Sequence, residues 1–123
     1  MERKLYVLTR ELVGGRRLIG VISEINGKYG FEYRLGGKLP EWFLLIDQFP
    51  DVTKIYNDEE TRKFVMRFVP PKDFWVIDEI LKTHGLNEYN EWELLKAIGK
   101  ISCGSIDLYY LSEELSESVV VYG

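Results

Sequence analysis

A chain of 123 residues, 46% hydrophobic and 29% charged, can bury one core but is too short for a complete kinase, dehydrogenase or nucleotide hydrolase. The lone cysteine, Cys103, excludes an internal disulfide framework and points to a reducing compartment, and the lone histidine, His84, excludes a two-histidine metal site. The net charge of −4 is uneven, with eight Lys/Arg against four acids in residues 1–40 and eight against sixteen in residues 41–123.

The first third reads as antiparallel β. Lys4–Thr9 alternates, with Leu5, Val7 and Thr9 on one face and Tyr6 and Leu8 on the other. Gly14-Gly15 offers a turn. Arg17–Ile25 and Lys28–Leu35 flank Asn26-Gly27, a two-residue hairpin signal because both turn residues must take positive φ. In the third strand Tyr29, Phe31, Tyr33 and Leu35 share a face opposite Lys28, Glu32 and Arg34. Gly36-Gly37 and Pro40 end it. Trp42–Ile46 fits either a buried strand or a short helix, and Phe49-Pro50-Asp51 makes a break.

The second half reads as helical. Asn57 serves as an N-cap, Asp58, Glu59 and Glu60 suit the first turn, and Phe64, Val65 and Phe68 form a stripe that Pro70-Pro71 ends. A second helix is expected from Pro71 or Lys72, carrying Phe74, Ile77, Ile80 and Leu81 inward, with His84 in its last turn and Gly85 as its C-cap. A third runs from Asn90, with Glu93 as capping-box partner, to Gly99 over Trp92, Leu94, Leu95 and Ile98. Ile106, Leu108 and Tyr110 alternate in a returning strand, and Ser112–Ser118 is a polar spacer before Val119–Tyr122. The expected fold class is α+β. A meander or small barrel-like sheet (1–40) precedes three short helices (57–99) and a C-terminal strand and tail (105–122), all in one domain spanning 1–123.

The chemistry sought along this chain is mostly absent. The glycine doublets lack the spacing of a phosphate-binding loop. His84 suits the carbonyl end of a helix, and Cys103 follows a helix C-terminus, which does not activate a thiol. No catalytic residue, metal site or cofactor is expected, and the chain is read as a non-enzyme. No apolar run reaches ~18 residues and no signal-type segment opens the chain, so a cytoplasmic protein without membrane contact is expected. Two surfaces invite partners. Trp75, next to Phe74 and after Pro70, Pro71 and Lys72, is an amphipathic aromatic at a rigid corner, the type of anchor that protein interfaces use. Arg16, Arg17, Lys28 and Arg34 form a candidate nucleic-acid face on the strands, against a pI near 5.1.

Three stretches carry a family resemblance: Phe64–Pro71, then Ile80–Leu86, then Leu94–Leu108 with Ile98-Gly99 and Cys103-Gly104. Their order and spacing resemble the N-terminal domain of HipA-type toxin kinases, and the preceding meander suits that family. Val69-Pro70 stands where the family has Leu-Pro, and Lys100-Ile101-Ser102 where it has an acidic-Cys stretch. A looser likeness, Phe49–Tyr56, is to a segment preceding HIRAN domains. In HipA-type kinases the ATP-handling residues lie in the later, larger part, so no catalytic role carries over. The resemblance implies a HipS-like small subunit of a split system. Such a subunit would be an antitoxin that binds a HipA/HipT-like Ser/Thr kinase, with a helix-turn-helix DNA-binding protein as a further partner. The competing expectations are a nucleic-acid-associated module using the basic strand face and a structural accessory subunit of the kinase.

Overall fold

The computed structural model describes residues 2–10, 16–35, 45–100, 109–115 and 119–120. Strands β1 (Glu2–Arg10), β2 (Arg16–Ile25), β3 (Lys28–Tyr33) and β4 (Tyr109–Ser112) form an antiparallel sheet in the order β3-β2-β1-β4. A short fifth strand, β5 (Val119–Val120), pairs with β2 in parallel at Arg16 and Arg17. Three helices lie between β3 and β4: α1 (Asp58–Val65), α2 (Ile77–Thr83) and α3 (Glu91–Gly99). The α+β class is therefore as expected, while the parallel pairing of β5 had no signal in the sequence.

The β2–β3 turn forms at Asn26 and Gly27, with φ of 51° and 82°, and it sets the register that pairs Ile25 with Lys28 and Gly20 with Tyr33. Tyr29, Phe31 and Tyr33 point inward as their alternation predicts. The alternation of β1 holds, with Leu5 and Val7 in the core cluster and Leu8 outside it. The register with β2 shifts between Val7 and Leu8, because Val7 faces Gly20 whereas Leu8 faces Leu18, so Ile19 is the extra residue of a bulge. Leu8 is as buried as Leu5 and Val7 but lies outside their cluster, as do Leu18 and Val21, so both faces of the sheet are covered there. Strand β4 departs from expectation. Leu111 is its buried residue and Tyr109 packs on the core, whereas Tyr110 lies on the other parity. Ile106 and Leu108 lie outside the described residues, as do Gly14-Gly15, Gly36-Gly37, Trp42 and Cys103.

Residues 45–57 form neither strand nor helix, and two tyrosines organise them. Tyr33 donates its hydroxyl to the Phe49 carbonyl at 2.6 Å and accepts the Ile46 N–H at 3.0 Å. Tyr56 accepts the Asp51 N–H at 2.6 Å, and its backbone bridges to Phe31. This loop delivers Phe49 onto Phe31, with rings 4.0 Å apart and nearly parallel. Phe49 meets Phe64 of α1 at 5.4 Å, and Phe64 in turn meets Tyr109 of β4 at 5.9 Å. The core is thus an aromatic column between sheet and helices, with Leu94 and Leu95 of α3 sealing it.

Helix α1 begins in a full capping box between Asn57 and Glu60. It ends at Val65, five residues before Pro70, so the prolines follow an already finished helix. Phe68 and Val69 are buried from the turns beyond it. At α3 the Asn90 side chain accepts the Glu93 N–H at 3.0 Å, but the Glu93 carboxylate pairs with Lys96 and does not return to the cap.

Candidate functional site

Between α1 and α2 the backbone turns a corner that carries all five residues singled out for partner binding. Pro71 accepts the Phe74 N–H at 3.0 Å, and Phe74 accepts the Ile77 N–H at 3.0 Å. Residues 71–76 are therefore successive turns, and the regular helix starts at Ile77, not at Pro71 or Lys72. That late start decides the two aromatics. Phe74 is 38% exposed, so it only partly joins the inward stripe expected of it, and Trp75 is 87% exposed. Their rings meet edge-on, with centroids 6.4 Å apart. Pro71 and Lys72 are exposed and Pro70 is half-buried.

The corner is fastened on both sides. Tyr89 donates its hydroxyl to the Pro70 carbonyl at 2.9 Å, and burial raises the Tyr89 hydroxyl above the ordinary tyrosine range, keeping it a donor. Downstream, Ile77, Ile80 and Leu86 pack on the core. Helix α2 closes with Gly85 at φ 71°. The Leu86 N–H reaches the Leu81 carbonyl at 2.8 Å and the Gly85 N–H reaches that of Lys82 at 3.1 Å, a Schellman closure. His84 sits at the C-cap through its backbone. The backbone beneath the indole is thus ordered before any partner arrives, so that part of the cost of binding is already met.

The four basic residues of the strand face do not gather. Arg17 is only 4% exposed, contrary to its expected place on a solvent-facing strand surface. Lys28 is exposed at the hairpin end, opposite Ile25, roughly 25 Å along β2 from Arg17. Arg34 is paired with Glu32 at 2.5 Å. Arg16 enters the sheet through its backbone, opposite Arg10 and Val119. Arg3, a fifth strand cation, is held by Glu24 at 2.5 Å and lies over the Trp92 ring at 5.1 Å.

A cross-link that sequence reasoning did not find joins hairpin, α1 and α3. The Arg62 guanidinium donates to Asp58 at 3.2 Å, to Glu91 at 2.9 Å and to the Gly27 carbonyl at 3.0 Å, and covers the Tyr29 ring at 4.9 Å. Tyr29 donates its hydroxyl to Glu91 at 3.1 Å and its N–H to Asp58 at 2.8 Å. The Asp58–Arg62 spacing of four was the available signal; Glu91 and Gly27 are too distant in sequence to have been named.

An open depression of about 610 Å³ is lined by Asp47, Gln48, Pro50, Asp51, Lys54, Tyr56, Glu60 and Lys63. Lys54 pairs with Glu60, and Asp51 accepts from Thr53. Three of its five charged side chains are therefore tied within the surface, and Asp47 and Lys63 join no ion pair. No group of metal-ligating side chains gathers among the described residues, and no helix among them is long and apolar enough to cross a membrane.

Fold and site together define a small α+β domain that presents a braced aromatic corner. The family model for the HipA N-terminal domain matches residues 11–109, and the chain belongs to this toxin–antitoxin-related family. The match covers 99 of 123 residues and includes β2, β3, the three helices and the Trp75 corner. This domain is not the catalytic kinase portion. No curated protein and no solved structure matches the chain.

Proposed function

We propose that this chain is a non-catalytic, HipS-like antitoxin that binds a HipA-type Ser/Thr kinase and neutralises it through the Trp75 corner. The observation that carries the reading is the 87% exposure of Trp75 on a frame fastened by Pro70, Tyr89 and the α2 closure. A tryptophan left in water has no part in its own fold's core, and its indole adds about 150–250 Å² of contact when a partner covers it. In this mechanism the kinase receives the indole in or beside its cleft and is hindered from closing. Membership of the HipA N-terminal domain family supports the choice of partner class.

The test is kinase activity and growth arrest with a HipA-type kinase from the same genome, with and without this chain. Kinase activity is expected to fall when the wild-type chain is added. Trp75→Ala is expected to fold normally and to bind at least about 30-fold more weakly, since truncating an interface hot spot costs about 2 kcal/mol or more. Undiminished neutralisation by Trp75→Ala removes Trp75 as the anchor. Kinase activity that is unchanged or raised by the wild-type chain defeats the antitoxin reading, and a rise supports the accessory-subunit alternative.

A further inference from the structure

The charged side chains around Trp75 are uncommitted. Lys72, Asp73, Asp78, Glu79, Lys82 and Glu88 are all exposed, and none of them joins an ion pair or a side-chain hydrogen bond among the described residues. Among the other described residues Arg3 is held by Glu24, Arg34 by Glu32, Lys54 by Glu60, and Arg62 by Asp58 and Glu91, while Asp47, Glu59, Lys63 and Lys100 join no ion pair either. The segment from Lys72 to Glu88, which carries the aromatic corner, therefore holds four free carboxylates against two free ammoniums. Asp78 and Glu79 open helix α2, three and four residues after Trp75 in the chain.

Beside them lies a shallow depression of about 380 Å³ lined by Asp78, Leu81, Lys82, Gly85, Leu86 and Asn87. Leu81 is buried and Leu86 half-buried, so the depression has an apolar floor under a polar rim. That shape and chemistry fit the stem of a long cationic side chain, with methylenes over the leucines and the charged head at the Asp78 carboxylate.

We propose that the partner surface that receives Trp75 is an apolar pocket with a basic border, one of whose Arg or Lys side chains enters the depression beside Asp78. This rests on the docking reading above and adds the chemistry of the partner. The excess of free carboxylates steers a basic surface toward the corner. Its effect falls on the association rate, whereas the indole governs how long the complex lasts.

The experiment measures association and dissociation rates of the wild-type chain with the same-genome HipA-type kinase at about 50 and about 300 mM salt, where screening lengths differ more than twofold. The double variant Asp78→Lys/Glu79→Lys is expected to associate on the order of tenfold more slowly at low salt and to lose most of its salt dependence. The opposite variant, Lys72→Glu/Lys82→Glu, is expected to associate faster than wild type. Circular dichroism confirms that both fold, since the four side chains are exposed and unpaired. If wild type binds but the two reversals leave the rate unchanged, or shift it in the same direction, the basic-border proposal is overturned while Trp75 docking stands. If wild type does not bind the kinase at all, the docking reading fails and this proposal falls with it.

Discussion

Gly99 shows how a single missing methyl positions an element. It lies at the end of α3 where that helix meets β4, and a Cβ built on it would stand 2.5 Å from the Leu111 Cβ and 2.7 Å from its Cγ and Cδ1. Leu111 is itself 1% exposed and paired with Val7 across the sheet, so it has no room to retreat. The Ile98-Gly99 pair that carries much of the family resemblance thus has a packing reason: only glycine lets the helix end touch the strand. Gly99→Ala is expected to destabilise the fold by about 1–3 kcal/mol, the usual range for overpacking, read as a shift in the urea midpoint. Combined with Leu111→Gly, which removes the Cβ, Cγ and Cδ1 that the new methyl meets, it should cost less than the sum of the two single changes, because the clash and the cavity offset each other. Additivity would refute the contact. The glycine was readable from the sequence as a helix terminus, but its partner was not, since Leu111 is twelve residues away and the alternation of Ile106, Leu108 and Tyr110 puts it on the opposite face.

At the scale of elements, Arg62 does for the hairpin what Gly99 does for β4. The capping box and acidic first turn of α1 were legible in Asn57–Glu60, because capping depends on neighbours three residues apart. What the local pattern leaves open is where the finished helix docks. Arg62 settles this by tying α1 to Glu91 of α3 and to the Gly27 carbonyl of the turn. Arg62→Ala leaves Asp58 and Glu91 without their cation and should cost about 1–3 kcal/mol in chemical denaturation. Tyr29→Phe, which removes one hydroxyl from the same cluster, should cost less, about 0.5–1.5 kcal/mol. The reverse ranking would show that Arg62 is a solvated surface side chain. The Trp75 corner belongs to this scale too. Sequence reading placed it on a helix, yet the helix begins at Ile77. The turns of residues 71–76 leave Trp75 in solvent and Phe74 half out.

For the whole molecule, buried polar groups set the pH range of stability. The Arg3 guanidinium beside Glu24 holds that carboxyl below the usual carboxylate range. Burial pushes the Asp58 carboxyl up, but the Tyr29 N–H and Arg62 outweigh it and the group also titrates low. A carboxyl lowered by folding stabilises the native state above its unfolded value, about 4, and that contribution is lost as pH falls through the folded value. Burial raises the hydroxyls of Tyr29 and Tyr33, with Glu91 adding to the rise at Tyr29. Their contribution is full below about pH 10 and is lost as pH rises above it. The melting temperature is therefore expected to be level between about pH 5 and 9 and to fall on both sides. Glu24→Gln should lower stability by about 1 kcal/mol at neutral pH and flatten the acid limb. An acid limb as steep as that of wild type would show that Glu24 does not contribute to it.

By itself the sequence determined the elements whose signals are local: the Asn26-Gly27 hairpin, the alternation of β3, the caps of α1 and α3, the glycine end of α2, and the family. These depend on residues two to four apart, where backbone geometry allows few choices. Tertiary structure decided the rest. The bulge at Ile19 depends on how β1 and β2 align, the parallel pairing of β5 on a return across the whole chain, and the Arg62 cross-link on three elements meeting. The basic face shows the difference most clearly, because burial of Arg17 and pairing of Arg34 depend on neighbours that composition does not specify. Trp75 stands between the two cases. Its residue type and proline-rich approach were visible in the sequence, but its exposure required that the helix start late enough to leave it outside.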